Sequence, residues 1–292
     1  METVRTIAWM KEKARAARLE ERLVGLIPTM GALHRGHLAL VDRAKKECSP
    51  VYVSIFLNPK QFGPREDLSR YPRPLDADIE KLTNAHVDGL FLPDAADIYP
   101  QGFSTYVHVE GLGERLEGKS RSGHFRGVAT VVLKLFEIVQ PNFAYFGRKD
   151  AQQARIVQQM ARDLNLDVTI EVCPIVRDPD GLALSSRNAY LDAEDRQAAT
   201  ALHRSLQAAA HELRAGLRDA VELQRVIHQV LASEPRARLD YAEIVDADSF
   251  EPVPRIRKPC YALLAVYIGK TRLIDNMLIT PDGDGEELRV EL

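Results

Sequence analysis

The chain has 292 residues, 45% hydrophobic and 28% charged, with a formal net charge of −3. This length suits about two domains, the composition is that of an ordinary globular protein, and the charge gives no indication of a nucleic-acid or membrane partner. Three widely spaced cysteines support neither a disulfide framework nor a cysteine zinc site. Because the first residues contain no long apolar run, we expect no signal peptide and a cytoplasmic location.

In the first half, predicted helices and strands alternate. The first strand, at 23–27, breaks at Pro28, and a helix follows from about Leu38 to Lys46. The remaining strands are predicted at 51–56, 89–93, 143–146 and 168–176, and the helices at 3–20, 76–86, 128–139 and 152–164, with a separate strand at 106–110. This alternation predicts a Rossmann-like, doubly wound α/β domain with a parallel sheet over residues 1–176.

The pattern changes at the turn-forming cluster 177–181. Two helices are predicted at 192–215 and 220–232, the first capped by Asp192. A strand at 240–245 and a hairpin of 261–268 with 272–279 follow. Residues 177–292 are therefore predicted to form a smaller α+β domain, and we expect its acidic run 281–287 to be mobile.

The turn between the first strand and its helix carries two histidines. His34 and His37 are three residues apart, so they would lie on one face of the first helical turn, and Gly36 leaves room for close approach to the backbone. A helix N-terminus with free N–H groups is an anion site, and two imidazoles there suit phosphate oxygens. The alternative, one capping and one solvated histidine, fits this placement less well.

Polar residues also follow other predicted strands. Asn58 and Gln61 suit the hydroxyls or carboxylate of a substrate, although a turn amide that bonds its own backbone is equally consistent. Lys149 and Asp150 suit phosphate and Mg²⁺, or form a surface ion pair, and Gln153 shares their helical face.

Two further loops carry cations and hydroxyls. Leu184-Ser-Ser-Arg187 suits closure over a phosphate chain, or is a serine turn before a helix cap. Arg121 and His124 lie in a glycine-flanked loop, where they bind substrate or are solvated. The sequence has no nucleophile elbow and no Walker A loop, so phosphate chemistry by clamping and charge stabilisation is the natural interpretation.

Five segments in order resemble the pantothenate synthetase (pantoate–β-alanine ligase) family over about residues 20–280. They are 28–37, 53–62, 123–127, 146–150 with Gln153, and 181–188. The resemblance implies a cytoplasmic homodimer that adenylates pantoate with ATP and Mg²⁺ and then joins the acyl group to β-alanine, with no nucleic-acid or membrane partner. It also implies a first domain similar to class I aminoacyl-tRNA synthetases.

The resemblance assigns roles by position. ATP would bind Met30, Gly31, Ala32, Leu33, His34, Arg35, Gly36, His37, Gly147, Arg148, Lys149, Asp150, Val176, Leu184, Ser185, Ser186 and Arg187. The catalytic residues would be His37, His34, Lys149 and Arg187; pantoate would bind Gln61, Gln153, Asn58, Arg121 and His124; β-alanine would bind Gln61, and Mg²⁺ Asp150. The loop 184–187 would be mobile, within a lid formed by the second domain.

The chain departs from the family pattern at three positions. Arg148 stands where Glu is common, and we expect it to face outward; Lys60 and Ser122 replace the usual Met and Pro. These changes put the fine geometry of two loops in doubt, but not the activity.

Three other functions compete with this interpretation. A tRNA-charging enzyme would need a basic region, whereas residues 177–292 hold 15 Lys and Arg against 20 Asp and Glu, a net −5. A nucleotidyltransferase would stop at an adenylylated product, without releasing AMP to an amine. A nucleotide-binding regulator would bind ATP without turnover.

Overall fold

The computed structural model describes residues 1–64, 66–282 and 287–292. The chain divides into two compact units, Met1–Pro174 (unit 1) and Ile175–Leu292 (unit 2). Each unit has its own hydrophobic core, so each is described by itself.

Unit 1 is built on a six-stranded parallel sheet with the strand order β1-β4-β3-β2-β5-β6. The strands are β1 (Glu2–Val4), β2 (Gly25–Thr29), β3 (Val51–Ile55), β4 (Gly89–Phe91), β5 (Phe143–Gly147) and β6 (Thr169–Cys173). The helices are α1 (Ile7–Leu19), α2 (Arg35–Ala44), α3 (Leu75–Asn84), α4 (Ala95–Ile98), α5 (Glu117–Ser120), α6 (His124–Val139) and α7 (Ala151–Asp163).

The chain winds outward from the centre of this sheet in two directions. From β2 it proceeds to β3 and β4 on one side, and β5 and β6 lie on the other. The predicted Rossmann-like fold is confirmed, and the order reverses between β2 and β5. Sheets of this kind hold their ligands beyond the strand ends at that reversal.

The structure differs from the predicted elements at several places, three of which have identifiable reasons. Pro28 lies inside β2, paired with Ser54 of β3, because β5 pairs with β2 only at Gly25 and Leu26 and needs no N–H from position 28. Helix α2 begins at Arg35 rather than Leu38, since His34 caps it. The described residues 106–110 form no strand: the amide of Val107 donates to Thr130 Oγ1 on α6.

The core of unit 1 lies between the sheet and its helices. Ile27, Val53, Leu90 and Tyr145 come from four neighbouring strands and are almost fully buried. Continuous apolar strands are typical of a parallel sheet that is covered on both faces. The rigid strands carry the loops in which the polar residues lie.

Unit 2 packs two helices, α8 (Ala193–Arg214) and α9 (Ala220–Ala232), on a four-stranded antiparallel sheet. The sheet order is β10-β9-β8-β7, with β7 (Ala237–Asp246), β8 (Cys260–Ile268), β9 (Thr271–Pro281) and β10 (Leu288–Glu291). The predicted α+β class and the β8–β9 hairpin are confirmed. Of the acidic run, 283–286 lie outside the described residues. Across the described part of the chain, we find no helix with the length and apolarity that a membrane span requires.

Candidate active site

Three turns of unit 1 follow strands that end at the same edge of the sheet. They come after β2 (residues 30–37), β3 (58–61) and β5 (147–150). Because β2 pairs in parallel with both β3 and β5, the three turns are neighbours at the reversal of strand order. The sequence placed its candidate residues in these turns, and the fold brings the turns together.

The turn after β2 has an unusual backbone. Gly31 and then Ala32 adopt positive φ angles of 84° and 51°. A side chain at position 31 would also lie 3.1 Å from Ile55 Cγ2, so glycine suits both the conformation and the space. The Gly31 amide donates to Thr29 Oγ1 at 3.2 Å, which closes the turn onto the strand end.

The two histidines bond the start of α2 through their Nδ1 atoms. The Gly36 amide donates to His34 Nδ1 at 3.2 Å, and the His34 amide donates to His37 Nδ1 at 3.3 Å. The ring centroids are 4.0 Å apart, so both rings lie on one face, as predicted, and both also cap the helix. Since Nδ1 accepts in each ring, the Nε2 atom of each neutral imidazole carries a hydrogen and is a donor.

Burial lowers the pKa of His37 well below its usual value of 6.5, and electrostatic interactions with His34, Lys149 and Lys81 lower it further. His37 is therefore a neutral hydrogen-bond donor at neutral pH. The same electrostatic coupling shows that Lys149, on the turn after β5, and Lys81, on α3, act on the imidazole of the turn after β2. The site thus combines lysine cations with a neutral donor.

The turn after β5 is one 3-10 turn, Arg148–Asp150, followed at once by α7. Lys149 Nζ lies 3.4 Å from Asp150 Oδ1, and both side chains are partly exposed. The expectation that Arg148 faces outward is wrong: its side chain is only 6% exposed. Successive side chains of a 3-10 turn point about 120° apart. The Arg148 side chain therefore points inward here, while those of Lys149 and Asp150 are partly exposed. Gln153 lies in the first turn of α7 and is half-buried.

The loop after β3 holds its amides in a fixed network. Asn58 Nδ2 donates to Gln61 Oε1 at 2.9 Å and to the Gly127 carbonyl at 3.1 Å, and Asn58 Oδ1 accepts from the Lys60 amide and the Tyr99 hydroxyl. Asn58 thus uses two donors and two acceptor positions within the protein. Gln61 Nε2 donates to Met30 Sδ at 3.0 Å, a weak acceptor that a substrate oxygen could replace.

Arg121 and His124 are engaged with that same loop. Arg121 donates to both carboxylate oxygens of Glu66, at 3.0 and 2.6 Å, and lies 3.0 Å from His124 Nε2. The other ring nitrogen, Nδ1, donates to the Gln61 carbonyl at 2.8 Å. Burial and the Arg121 charge lower the pKa of His124 to about 4, so its ring is neutral. This chain of contacts holds the Gln61 backbone in place.

Sequence reasoning missed several groups that support these turns. Gly127 lets α6 approach closely, since a Cβ there would lie 2.2 Å from the Lys60 carbonyl oxygen. Gln152, rather than its neighbour Gln153, holds the loop before α5 by donating to the Leu112 and Arg115 carbonyls. Asp78 and Lys81 on α3 contact the turn after β2. No local pattern marked these side chains, because their partners lie far away in sequence.

The remaining predicted ATP residues are placed as follows. Arg35 is exposed and Leu33 is buried. In unit 2, the Leu184 amide donates to the Val176 carbonyl, and the Arg187 amide donates to Ser185 Oγ at 3.3 Å. The predicted alternative of a serine turn before a helical turn is therefore present in Leu184–Arg187.

The segment that precedes this unit 2 loop is held by an ion pair and a hydrogen bond to the backbone. Arg177 donates to both carboxylate oxygens of the buried Asp275 and to the Gly181 carbonyl.

The parts of the chain that the structure describes contain no group of three His, Cys, Asp or Glu residues arranged to hold a metal ion. Asp150 is a single carboxylate on a partly exposed turn. That donor set fits Mg²⁺, which commonly keeps several waters and is held by one or two carboxylates together with substrate phosphates.

Fold and site together define a class: a Rossmann-like α/β protein with a histidine-capped helix start and lysines at the switch point of its sheet. The particular family follows from comparison with known proteins. The chain belongs to the pantoate-beta-alanine ligase family, whose model matches residues 2–278. It is a ligase that forms a C–N bond, and it serves pantothenate biosynthesis.

Relatives match over nearly their full lengths. The pantothenate synthetase of Koribacter versatilis is 49% identical over 97% of this chain and 98% of its own, and that of Roseiflexus castenholzii is 51% identical over 94% and 99%. The Thermus thermophilus pantothenate synthetase structure superposes with a TM-score of 0.90 at 46% identity, covering 94% of this chain and 98% of its own. The Francisella tularensis ligase, complexed with beta-gamma ATP and beta-alanine, has a TM-score of 0.78 at 37% identity and covers 94% and 97%.

Proposed function

We propose that this ligase joins pantoate to β-alanine in two steps, through a pantoyl-adenylate intermediate. In the first step, a pantoate carboxylate oxygen attacks the α-phosphorus of ATP, the bond from that phosphorus to the bridging oxygen breaks, and pyrophosphate leaves. In the second step, the β-alanine amine attacks the acyl carbon, the bond from that carbon to the AMP oxygen breaks, and the amine loses a proton. Adenylation is needed because a free carboxylate is a poor acyl donor, whereas AMP is a good leaving group.

The observation that carries this proposal is the pair of Nε2 donors at the start of α2, with Lys149 close enough to lower the pKa of His37. We assign ATP to the backbone and side chains of 30–37 and 147–150. His37 and His34 donate to the phosphates, and Lys149 offsets their charge. Fixed donors of this kind stabilise charge that develops in the transition state, at about 10²–10³ in rate for each donor.

The acid and the amine are assigned to the loop after β3. Gln61 is held by Asn58 and contacts Met30 of the ATP turn, so its amide lies where the two substrates would meet. Gln153 contributes a second amide to pantoate, and Gln61 also serves β-alanine. The Francisella tularensis relative, complexed with beta-gamma ATP and beta-alanine, supports the nucleotide and the amine as substrates. Asn58, Arg121 and His124 serve the acid by holding Gln61.

The remaining assignments rest on the family resemblance. Val176 and 184–187 of unit 2 bind ATP, with Arg187 on its phosphates, and residues 177–292 act as a lid. Asp150 would hold Mg²⁺, which when bound screens the phosphate charge. The protein would be a cytoplasmic homodimer, which light scattering on the purified enzyme tests.

The proposed function is tested by pyrophosphate–ATP exchange with Mg²⁺, pantoate and no amine. We expect exchange that requires pantoate, and AMP release only after β-alanine is added. Exchange with a different acid, and none with pantoate, would overturn pantoate as the substrate. AMP release without exchange would overturn the adenylate intermediate.

A further inference from the structure

Helix α3 holds both backbone polar groups of one residue, Leu33, in the turn after β2. Asp78 Oδ1 accepts from the Leu33 amide at 2.8 Å, and Lys81 Nζ donates to the Leu33 carbonyl at 2.7 Å. Leu33 directly precedes His34, the cap of α2. The orientation of α2, and with it the position of both histidine rings, therefore depends on two side chains of α3.

The second oxygen of the same carboxylate extends this hold to the neighbouring residue. Asp78 Oδ2 accepts from the Ala32 amide at 2.7 Å, where the backbone has a φ of 51°. Successive amides in such a conformation form a concave anion-binding nest. Here the nest is filled by a side chain of the protein itself, so it fixes the turn instead of binding a ligand.

The Asp78 carboxylate is buried and is compensated by hydrogen bonds to the turn. Its side chain is 1% exposed, and burying a carboxylate is expensive unless charge-assisted hydrogen bonds compensate for it. The two amides and Lys81, whose Nζ lies 3.7 Å from Asp78 Oδ1, supply that compensation. Lys81 also lowers the pKa of His37, so its ammonium acts on the imidazole as well as on the backbone.

We propose that Asp78 and Lys81 are positioning residues for the ATP-binding turn, setting the backbone of 31–33 so that His34 and His37 present their Nε2 donors to the phosphates. The inference rests on the proposed function, because it assigns ATP to this turn. It adds two residues of α3 to the machinery, neither of which touches substrate.

The test compares Asp78→Asn with Asp76→Asn, a matched control on the exposed side of the first turn of α3. An asparagine at 78 loses the charge and replaces one acceptor with a donor that opposes a backbone amide. We expect at least a tenfold weaker Kd for ATP, measured by calorimetry without pantoate, and a tenfold lower kcat/KM for ATP. The kcat/KM for β-alanine should stay within about threefold, and Asp76→Asn should match the wild type.

A purely structural Asp78 would lower the melting temperature of Asp78→Asn while leaving its ATP affinity like that of the control, and this result would overturn the proposal. If Asp78→Asn does not fold, Lys81→Met tests the proposal instead, because Lys81 is partly exposed and its replacement should not prevent folding. Removing that ammonium should raise the His37 pKa in a ¹⁵N NMR titration of the ring and weaken ATP binding about threefold or more. An unchanged titration and affinity would contradict the proposal.

The two possible failures are distinguishable. ATP affinity without pantoate depends on the turn but not on the acid that is adenylated. A wild-type enzyme without pantoate-dependent exchange would refute the proposed function, whereas exchange in the wild type with normal ATP affinity in Asp78→Asn would refute the positioning role alone.

Discussion

The turns after β2 and β3 are held in place by different means. In the turn after β2, a buried carboxylate and a lysine hold the backbone, and the histidine side chains accept hydrogen bonds from their own helix start. In the loop after β3, a neutral amide, Asn58, grips the functional side chain of Gln61 directly, and a neutral His124 grips its backbone.

The difference follows from what each turn is proposed to bind. A phosphate site needs backbone amides and ring donors in a fixed geometry, and the two charged side chains that hold the backbone fix the position from which the rings meet the ligand. A carboxylate and hydroxyl site can be built from neutral amide donors, whereas an unpaired carboxylate nearby would repel an acidic substrate. Glu66 is present near Gln61, but Arg121 forms a bidentate ion pair with it.

The largest effect is expected from the turn after β2. His37→Ala should lower kcat and the pantoate-dependent exchange by about 10²–10³-fold, because it removes a fixed donor to the phosphates. The melting temperature should fall by only a few degrees, since the side chain is half-buried and the variant loses one capping bond of α2. Exposed His228→Ala on α9 is the matched control. Turnover within a few-fold of wild type would remove His37 from the catalytic assignment.

The pH dependence of stability tests how the loop after β3 is held. Between the unfolded pKa of 6.5 and the folded pKa of about 4, the unfolded chain binds a proton on His124 that the native protein does not. The contribution of His124 to the free energy of unfolding is therefore fully present above pH 6.5. It is lost as the pH falls, by about 2 kcal/mol between about pH 7 and pH 5.

His124→Asn keeps an N–H donor for the Gln61 carbonyl but has no titrating ring. Urea unfolding of both proteins at the two pH values isolates the contribution of His124 to the free energy of unfolding, because all other groups titrate in both proteins. The wild type should lose about 2 kcal/mol more than the variant. An equal loss in the two proteins would mean that His124 is not held neutral.

A smaller effect should separate the two turns kinetically. Gln61→Ala should lower kcat/KM for pantoate about tenfold, the loss of one or two neutral hydrogen bonds, with kcat/KM for ATP within about threefold. Exposed Gln229→Ala on α9 controls for the change in composition. A larger loss for ATP than for pantoate would move Gln61 out of the acid's pocket.

Sequence patterns predicted the architecture well where the signals were local. Strand–helix alternation gave the doubly wound unit, and Asp192 caps α8 through the Asp195 amide as expected. Where packing competed with propensity, the prediction was wrong. Pro28 is tolerated inside β2 because β5 has already diverged, and residues 106–110 bond α6 instead of forming a strand.

The candidate site divides in the same way. The shared face of His34 and His37 follows from a spacing of three residues, but their joint capping of α2 was not predicted. The turns after β2, β3 and β5 could be predicted to meet because parallel strands end at one edge. The burial of Arg148 could not be predicted, since the direction of its side chain depends on how a 3-10 turn meets the sheet.

What the amino-acid order determined by itself is therefore the set of turns and the chemistry that they carry, since periodicity, caps and glycine turns act over a few residues. Only the tertiary structure decided which groups hold those turns. Asp78 meets Ala32 across 46 residues, and His124 meets Gln61 across 63. Such contacts depend on how α3 and α6 pack beside the strand ends, and no short-range pattern encodes that placement.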